Sequence, residues 1–314
     1  MLFITYILYA YWIFDISLVL LGLPHTLNLV KLPAVLKETL LYGKTRGNSR
    51  VETSIVKLIE IPKSWFLHFY IYGVVISLYT SCVTIGSYYL GVEVPGAISL
   101  DSHVRSPRQS LDKLAVTMVC IMMLIQHIRR TYESMFVSVY SKGTMNVIHY
   151  LMAAYLYSTV QVCAIAEGPS LKSSTNAHVS STLFHGQWLL FLQQHWNKLL
   201  GFGLFIMASY QHHRSHVILA NLRKDRRGEK VIHRQHVIPR GGLFECLSAP
   251  HFVAEILIYV SMGLVALENW SFWLGPVLFT FTNQALMINE THNWYVSKFS
   301  NYPKNRYRYI PYIF

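Results

Sequence analysis

Long, uninterrupted apolar runs constrain the fold of this chain more than any other feature. The first run covers residues 3–23, which is too long for the apolar core of a signal peptide and has no basic segment before it. Only 13% of the residues are charged, against about 25% in soluble domains. Hydrocarbon cannot satisfy backbone polar groups, so such runs must be helices or barrel strands, and their continuous hydrophobicity favours helices. The sequence therefore predicts an all-α membrane protein.

Seven apolar spans are predicted, at residues 3–23, 65–90, 114–128, 145–166, 187–210, 251–267 and 271–289. The third is short, and Lys198 interrupts the fifth. Basic residues support the count, because 22 Lys and Arg fall in four segments on one side and four fall in segments on the other. The basic segments are residues 24–64, 129–144, 211–250 and 290–314. The positive-inside rule then predicts a lumenal N-terminus and a cytosolic C-terminus. A six-span count would break this alternation.

The most basic segment follows the fifth span. Between Arg214 and Arg240 it carries eight Lys and Arg against two acids, Asp225 and Glu229. Such a loop is typical of a site for the phosphates of a ligand or for acidic lipid headgroups, and topology alone would also explain it. No GxGxxG, P-loop, HExxH or GxSxG motif occurs, so a nucleotide would bind outside a Rossmann fold. The four cysteines are scattered and predict free, mostly buried thiols without a metal site.

Several ionisable residues lie in or beside the apolar spans, where a charge is costly and such residues face the bundle interior. Glu255 near the start of the sixth span is either an acid favoured by the helix N-terminus or a ligand contact. Asp15 fits an interhelical hydrogen bond. Glu133 and Glu290 follow the third and seventh spans. His127, one turn inside the third span, is either a donor to a substrate carbonyl or a satisfied core histidine.

Four motifs near the C-terminus, in this order, resemble the steroid 5α-reductase family. They are NLRK at 221–224, IPRGGLF at 238–244, SAPHFVAE at 248–255 and YPKNR at 302–306. Further segments resemble the polyprenol/polyprenal reductase branch of that family: LLYGKTRG at 40–47, IPKSWFLHFYI at 61–71, IRRTYESMFVSVYS at 128–141 and NQAL at 283–286. The resemblance covers nearly the whole chain and is densest after residue 211.

The resemblance implies a single reductase domain over residues 1–314, a seven-transmembrane-helix bundle that encloses NADPH and admits its substrate from the lipid. Residues 195–314 would form the cofactor-binding region. The family transfers a hydride to the β-carbon of an α,β-unsaturated carbonyl while polar groups stabilise charge on the carbonyl oxygen. The endoplasmic reticulum membrane is the implied location.

Matching the motifs position by position implies a set of site residues. The implied cofactor-binding residues are Arg130, His216, Arg223, His251, Glu255 and Tyr295. The candidate catalytic residues are His292 and His127, with Tyr132 as the alternative to His127 for polarising the carbonyl. His127 stands where steroid reductases have a tyrosine that polarises the carbonyl. Those enzymes pair the tyrosine with a glutamate that has no confident match here, although Glu60 lies near the position. This departure favours a carbonyl pocket different from that for steroids.

The leading hypothesis is NADPH-dependent reduction of the α-isoprene double bond of polyprenal, towards dolichol for protein N-glycosylation. Polyprenal is favoured over polyprenol because hydride addition needs an electron-poor alkene. The expected partners are a long-chain isoprenoid lipid and the membrane, without nucleic acid or an obligate protein partner. The alternatives are a 3-oxo-4-ene steroid or a trans-2-enoyl thioester as substrate. Remote alternatives are an isoprenylcysteine-type methyltransferase, whose RHPxY-type motif is absent, and a transporter, for which no inverted repeat is seen.

Overall fold

The structure is a computed structural model, and it describes residues 60–104, 110–140, 144–171, 188–224 and 236–309. It also describes isolated positions between residues 10 and 30. Those of them at positions 10–24 are helical, as predicted for the first span. Several features of the sequence analysis lie outside the described residues: Asp15, the segment LLYGKTRG at 40–47 with most of the basic segment 24–64, and the centre of the most basic segment at residues 225–235.

Helices make up nearly all regular structure in the described chain. A short antiparallel ladder of β1 (Glu60–Pro62) and β2 (Thr144–Asn146) is the exception. The helices are α1 (Phe66–Ile85), α2 (Ala97–Val104), α3 (Lys113–Tyr132), α4 (Val147–Ala166), α5 (Trp188–Asn221), α6 (Pro250–Val265), α7 (Trp270–Phe272) and α8 (Leu278–Lys298). Three π-helical turns extend or join them, at Gly86–Leu90, Glu133–Val137 and Trp273–Val277.

The prediction of an all-α architecture is confirmed, and six of the predicted spans coincide with α1, α3, α4, α5, α6 and the α7–α8 pair. Among the described residues, two helical stretches are long and apolar enough to cross a membrane by length and composition, Lys63–Leu90 and Lys113–Val137. The segments Tyr150–Ala166 and Pro250–Val265 are apolar but shorter. Seven crossings remain a prediction.

Several predicted boundaries were wrong, in three cases because a helix continues past the end of its apolar run. The third span ends at Tyr132 and a π turn, not at residue 128, while α5 and α8 continue to Asn221 and Lys298. The basic segment predicted as a loop from residue 211 therefore begins as helix. The predicted loop 92–112 contains α2. The hydropathy of the sequence falls where the apolar residues stop. A helix can continue beyond that point, because its backbone hydrogen bonds also form between polar residues.

Lys198, which interrupts the fifth predicted span, is explained by an ion pair. Its Nζ lies 2.9 Å from Oδ2 of Asp112, and the lysine is largely buried. The other oxygen of Asp112 accepts a hydrogen bond of 2.7 Å from the backbone N–H of Ala115, which caps the N-terminus of α3. The carboxylate of Asp112 therefore caps the N-terminus of α3 and also neutralises Lys198 within α5.

The core of the bundle lies between α1, α3, α4, α5 and α6. Met122, Met123, Tyr259 and Met262 are almost completely buried there. A second, smaller cluster attaches the N-terminal helical residues through the indole of Trp12, whose ring centroid lies 5.9 Å from that of Tyr155 in α4 and 5.4 Å from that of Phe279 in α8. The smaller cluster therefore spans the space between α4 and α8.

Close packing of α5 on α6 depends on a glycine, and a substitution there has a defined cost. A Cβ at Gly201 would lie 2.6 Å from the carbonyl oxygen of Ser261 and 2.7 Å from Cγ2 of Val265. Gly201→Ala is expected to destabilise the protein by about 1–3 kcal/mol through overpacking. Gly203→Ala is the matched control, because nothing lies within 4 Å of its Cβ and both changes raise the helix propensity of α5 equally. Thermal unfolding of the two variants in detergent measures the difference, and equal midpoints would contradict the packing argument.

Candidate active site

A cavity of about 530 Å³ opens between the helices, and its lining contains an apolar set of side chains (the apolar half) and a polar set (the polar half). This volume lies in the range of sites for cofactors and small ligands. The apolar half comes from α1, α4, α8 and β2: Phe66, Phe69, Met145, Met152, Ala153, Leu156, Phe279 and Met287. The polar half comes mainly from α3, α5 and α6: Arg130, His212, His216, Arg223, His236, His251 and Glu255. The cavity therefore suits a ligand with an anionic part next to a partner with an apolar chain.

A buried ion cluster fixes the orientation of Arg130. The carboxylate of Glu133 has no solvent exposure and accepts hydrogen bonds from Nη1 of Arg129 at 2.5 Å, from Nη1 of Arg130, and from Nδ1 of His213 at 2.8 Å. Nη2 of Arg130 donates a 2.6 Å hydrogen bond to the hydroxyl oxygen of Tyr70. The guanidinium carbon also lies 4.9 Å from the centroid of the Tyr70 ring. Glu133 opens a π turn, a feature found often at functional sites.

Two histidines one turn apart on α5 continue this network along the wall of the cavity. Nη2 of Arg129 lies 2.8 Å from Nδ1 of His212, and Nε2 of His212 lies 3.1 Å from Nε2 of His216. A guanidinium group only donates hydrogen bonds, so Nδ1 of His212 is the acceptor. Nε2 of His212 then carries the proton and donates a hydrogen bond to Nε2 of His216. Glu133, His212 and His216 also bring three potential ligand atoms within 4.8 Å of one another. The guanidinium groups already use the carboxylate and one ring nitrogen, and the absence of a metal site remains a prediction.

Glu255 and Gln284 form a pair of acceptors in the cavity wall. Nε2 of Gln284 donates a 2.9 Å hydrogen bond to Oε2 of Glu255. The other amide atom of Gln284, Oε1, is buried and has no hydrogen-bond partner among the described residues. A buried acceptor without a donor is costly, so this oxygen is suited to an N–H group of a ligand. The sequence analysis left open whether Glu255 contacts a ligand. In the structure a second acceptor, Oε1 of Gln284, lies beside it.

The C-terminal tail pairs with the loop that precedes α6. The backbone N–H of Tyr307 donates to the carbonyl of Cys246 at 2.8 Å, and the N–H of Ser248 donates to the carbonyl of Tyr307 at 3.0 Å. Arg306 is buried, and its Nη2 donates to the carbonyl of Pro239 at 2.8 Å. The motifs IPRGGLF, SAPHFVAE and YPKNR thus meet at one place.

Glycine conformation and a carboxylate shape the turn at residues 240–245. Gly241 has φ of +93°, which favours glycine, and its N–H donates to Oε1 of Glu245 at 2.5 Å. This hydrogen bond, with smaller contributions from the Arg306 and Arg240 guanidinium groups, lowers the pKa of the Glu245 carboxyl. Glu245 therefore stays ionised and holds the turn that precedes α6.

All six residues implied as cofactor ligands line this one cavity: Arg130, His216, Arg223, His251, Glu255 and Tyr295. Nη1 of Arg223 also donates to the carbonyl of Val139 at 3.0 Å, which ties the end of α5 to the segment after the π turn. Tyr295 is buried, with its ring stacked on that of Tyr302 at 5.3 Å between centroids. Their roles remain predictions, but residues spread over 166 positions of sequence do come together.

None of the three implied catalytic residues lines the cavity. His127 is completely buried on the side of α3 that faces α1, where its Nδ1 hydrogen-bonds to Oγ of Ser77 at 2.7 Å and its ring lies against Gly73. Tyr132 is 53% exposed and its ring lies beside Phe136, away from the cavity. The Nδ1 of His127 is satisfied as in a core histidine, but its Nε2 is buried and has no hydrogen-bond partner among the described residues, so both alternatives for His127 stay predictions.

His292 lies behind the cavity wall, next to its lining residue Thr291. The hydroxyl of Tyr302 donates to Oγ of Ser248 at 2.8 Å, and that oxygen lies 2.7 Å from Nδ1 of His292. Burial, helped by the charge of Arg308, lowers the pKa of His292 to about 4. The imidazole is therefore neutral at pH 7 and accepts a hydrogen bond from the hydroxyl of Ser248. This hydrogen bond fixes the start of α6 against α8.

Nine polar residues of the cavity lining were missed as site residues: Tyr70, Ser138, Tyr140, Tyr157, His212, His236, Asn283, Gln284 and Thr291. Five of them carried a signal, because they lie in segments that contributed to the resemblance: Tyr70 in IPKSWFLHFYI, Ser138 and Tyr140 in IRRTYESMFVSVYS, and Asn283 and Gln284 in NQAL. Tyr157 looks like a span tyrosine, because its position beside a cavity depends on how α4 packs.

Comparison with protein families defines the class of this protein. Residues 170–314 match the family model described as 3-oxo-5-alpha-steroid 4-dehydrogenase. This match includes the four motifs of the C-terminal region. The class of protein is thus an oxidoreductase that acts on CH–CH groups.

Similar proteins extend the match to most of the chain. The polyprenal reductases of Homo sapiens and Xenopus tropicalis are each 32% identical over 286 residues, which cover 90% of this chain and 86% and 89% of theirs. Polyprenal reductase of Mus musculus is 31% identical over 297 residues, with 90% and 87% covered. The chain therefore belongs to the steroid 5α-reductase family, among relatives named polyprenal reductases.

Proposed function

We propose that this protein is an NADPH-dependent reductase that saturates the α-isoprene double bond of polyprenal, a step towards dolichol. The observation that carries the proposal is the lining of the cavity, which combines arginine and histidine side chains with aromatic and aliphatic ones. The relatives named polyprenal reductases support the same substrate.

The residues of the polar half fit a phosphorylated dinucleotide. Arg130 and Arg223 supply charged donors for phosphate oxygens, and His216 and His251 stand on neighbouring helices of the same wall. Gln284 and Glu255 offer the acceptors that a carboxamide N–H group needs. NADPH, when bound, supplies the hydride for the reduction. The chain's own contribution is to hold its charged and amide groups in one orientation.

The apolar half fits an isoprenoid chain. Methyl-branched isoprene units gain from burial against Phe66, Phe69, Leu156 and Phe279, because each buried CH₂ group contributes about 0.8 kcal/mol. A substrate of this kind stays in a bilayer, which agrees with the apolar helices Lys63–Leu90 and Lys113–Val137. We extend the proposal to seven crossings of the endoplasmic reticulum membrane with the C-terminus in the cytosol, as the distribution of Lys and Arg predicts.

The position of Glu60 supports an enal rather than a steroid as substrate. Its Oε2 accepts a 2.6 Å hydrogen bond from Oγ1 of Thr144 in the β1–β2 ladder, and it does not line the cavity. Because Glu60 does not line the cavity, its carboxyl group does not bind a substrate carbonyl there together with a lining residue. The carbonyl pocket therefore uses other donors than the tyrosine and glutamate expected in steroid reductases.

Parallel assays of the full-length protein in detergent test the proposal. NADPH oxidation is measured with polyprenal, polyprenol and a 3-oxo-4-ene steroid, and the lipid products are analysed for the saturated α-isoprene unit. With polyprenal we expect NADPH to be consumed and a saturated product to form. Of the two isoprenoids, only polyprenal has its α-alkene conjugated to a carbonyl. Reduction of polyprenol in the absence of aldehyde would refute the substrate, and reduction of the steroid alone would refute the assignment to the polyprenal branch.

A further inference from the structure

One tyrosine in the cavity has a hydroxyl proton without an acceptor. The hydroxyl oxygen of Tyr70 receives a 2.6 Å hydrogen bond from Nη2 of Arg130. A guanidinium group has donors only, so this contact uses a lone pair of the oxygen and leaves its proton unused. No described residue accepts that proton. Because Tyr70 lines the cavity, the remaining direction for its donation is towards a bound ligand.

The side chain that holds Tyr70 is itself held firmly. Arg130 binds the fully buried carboxylate of Glu133 through one nitrogen and Tyr70 through another. Its guanidinium also lies against the Tyr70 ring, at 4.9 Å from the centroid. A fixed cation beside a phenol favours negative charge on the phenol oxygen and strengthens donation by its O–H group. The pair is therefore a preorganised donor of the kind that stabilises an oxyanion.

Tyr70 also lies where the two halves of the cavity meet. Phe66 and Phe69 of the same helix belong to the apolar half, whereas its partner Arg130 belongs to the polar half. A lipid whose polar end bears a single carbonyl would bring that carbonyl to this boundary.

Other candidates for the same role are less suitable. The hydroxyl of Tyr140 is hydrogen-bonded to Oγ of Ser134 at 2.7 Å. Tyr157 faces the cavity with its ring 6.1 Å from that of Tyr70, but the hydrogen bond from Arg130 goes to Tyr70 and not to Tyr157. His127 and Tyr132 do not line the cavity.

We propose that Tyr70, held by the Arg130–Glu133 pair, is the catalytic residue that donates a hydrogen bond to the carbonyl oxygen of the unsaturated aldehyde. This inference rests on the proposed function and names the donor within that site. As the hydride bonds to the β-carbon, the alkene electron pair moves into the bond between the α-carbon and the carbonyl carbon, and the carbonyl pair moves onto oxygen. Tyr70 stabilises the charge that forms there. A proton from water then bonds to the α-carbon, which restores the carbonyl and balances the reaction.

The first test is Tyr70→Phe in the full-length protein, which keeps the ring and removes the donor. We expect kcat for polyprenal to fall by about 10²- to 10³-fold, as when an oxyanion donor is lost. The dissociation constant for NADPH, measured by fluorescence without substrate, should change by less than about threefold, because the change removes no charge from the polar half. Tyr89→Phe, at an exposed position beyond α1, is the matched control with unchanged kcat and affinity.

A second measurement separates a donor from a merely structural tyrosine. Fluorinated tyrosine at position 70 is more acidic, so the fall of kcat at high pH should move to lower pH with each added fluorine. The same replacement at Tyr157 should leave that limb in place. Arg130 on α3, Glu255 on α6 and Tyr157 on α4 are the other titratable groups around this end of the cavity.

The outcomes distinguish this inference from the function on which it rests. An active wild type together with an equally active Tyr70→Phe variant would overturn the role of Tyr70 alone, and a large loss only in Tyr157→Phe would transfer the role to Tyr157. A wild type that binds NADPH but reduces none of the three carbonyl and alcohol substrates would overturn the proposed function and this inference with it.

Discussion

Replacing Glu133 with alanine is expected to destabilise the protein by about 3–5 kcal/mol, the cost of leaving buried charges without their partner. The carboxylate is fully buried and neutralises Arg129 and Arg130 while accepting a third hydrogen bond from His213. Without it, two guanidinium groups face each other at low exposure. The midpoint of thermal unfolding in detergent should fall by about 5–15 °C for a chain of this size.

Controls separate the loss of the ion cluster from the loss of any acid. Glu268→Ala removes an exposed carboxylate from the turn after α6 and should leave the midpoint unchanged within about 1 °C. The double variant Arg129→Met with Glu133→Gln removes one cation with the anion and should recover part of the stability. A Glu133→Ala protein as stable as the wild type would show that the cluster does not stabilise the fold, and would remove the support proposed for Arg130 and Tyr70.

The sequence predicts the helices well because lipid and core both require continuous apolar runs. It predicts the helix ends poorly for the same reason. Polar residues such as those of the Arg129–Glu133 and His212–His216 pairs stay helical beyond the apolar part, and each pair is four residues apart on one face. These extensions matter for function, since they carry Arg130 and His216 into the cavity wall.

The six candidate cofactor residues lie in one cavity, as expected of residues in motifs that match one family, whereas none of the three candidate catalytic residues lines it. The roles of all nine stay predictions. A motif match places His127 at the position of a carbonyl donor but does not determine which way α3 presents it. In the bundle that position faces Gly73, whose missing side chain admits the imidazole into the helix interface. The donor that we propose comes from Tyr70 on α1, and only the packing of α1 against α3 brings it to Arg130.

Replacing Arg223 with glutamine is expected to weaken NADPH binding by about 10- to 100-fold, the usual effect of losing a charged hydrogen bond. Arg223 lines the polar half at the end of α5, and its Nη1 donates to the carbonyl of Val139. Glutamine can still donate to that carbonyl, so the local backbone is supported while the charge is removed. Arg214→Gln is the matched control, since Arg214 is exposed on the same helix and does not line the cavity. The dissociation constants are measured by fluorescence titration of each purified variant.

Titration with NADH as well as NADPH identifies the phosphate that Arg223 contacts. A loss for NADPH alone assigns the arginine to the 2′-phosphate, and an equal loss for both assigns it to the pyrophosphate, because only the first group differs between the two. In either case the difference between wild type and variant should shrink as salt is added, since screening weakens the charge that remains accessible to solvent. Unchanged affinity for both dinucleotides would remove Arg223 from the cofactor site and would leave the phosphates to Arg130 and the histidines of α5 and α6.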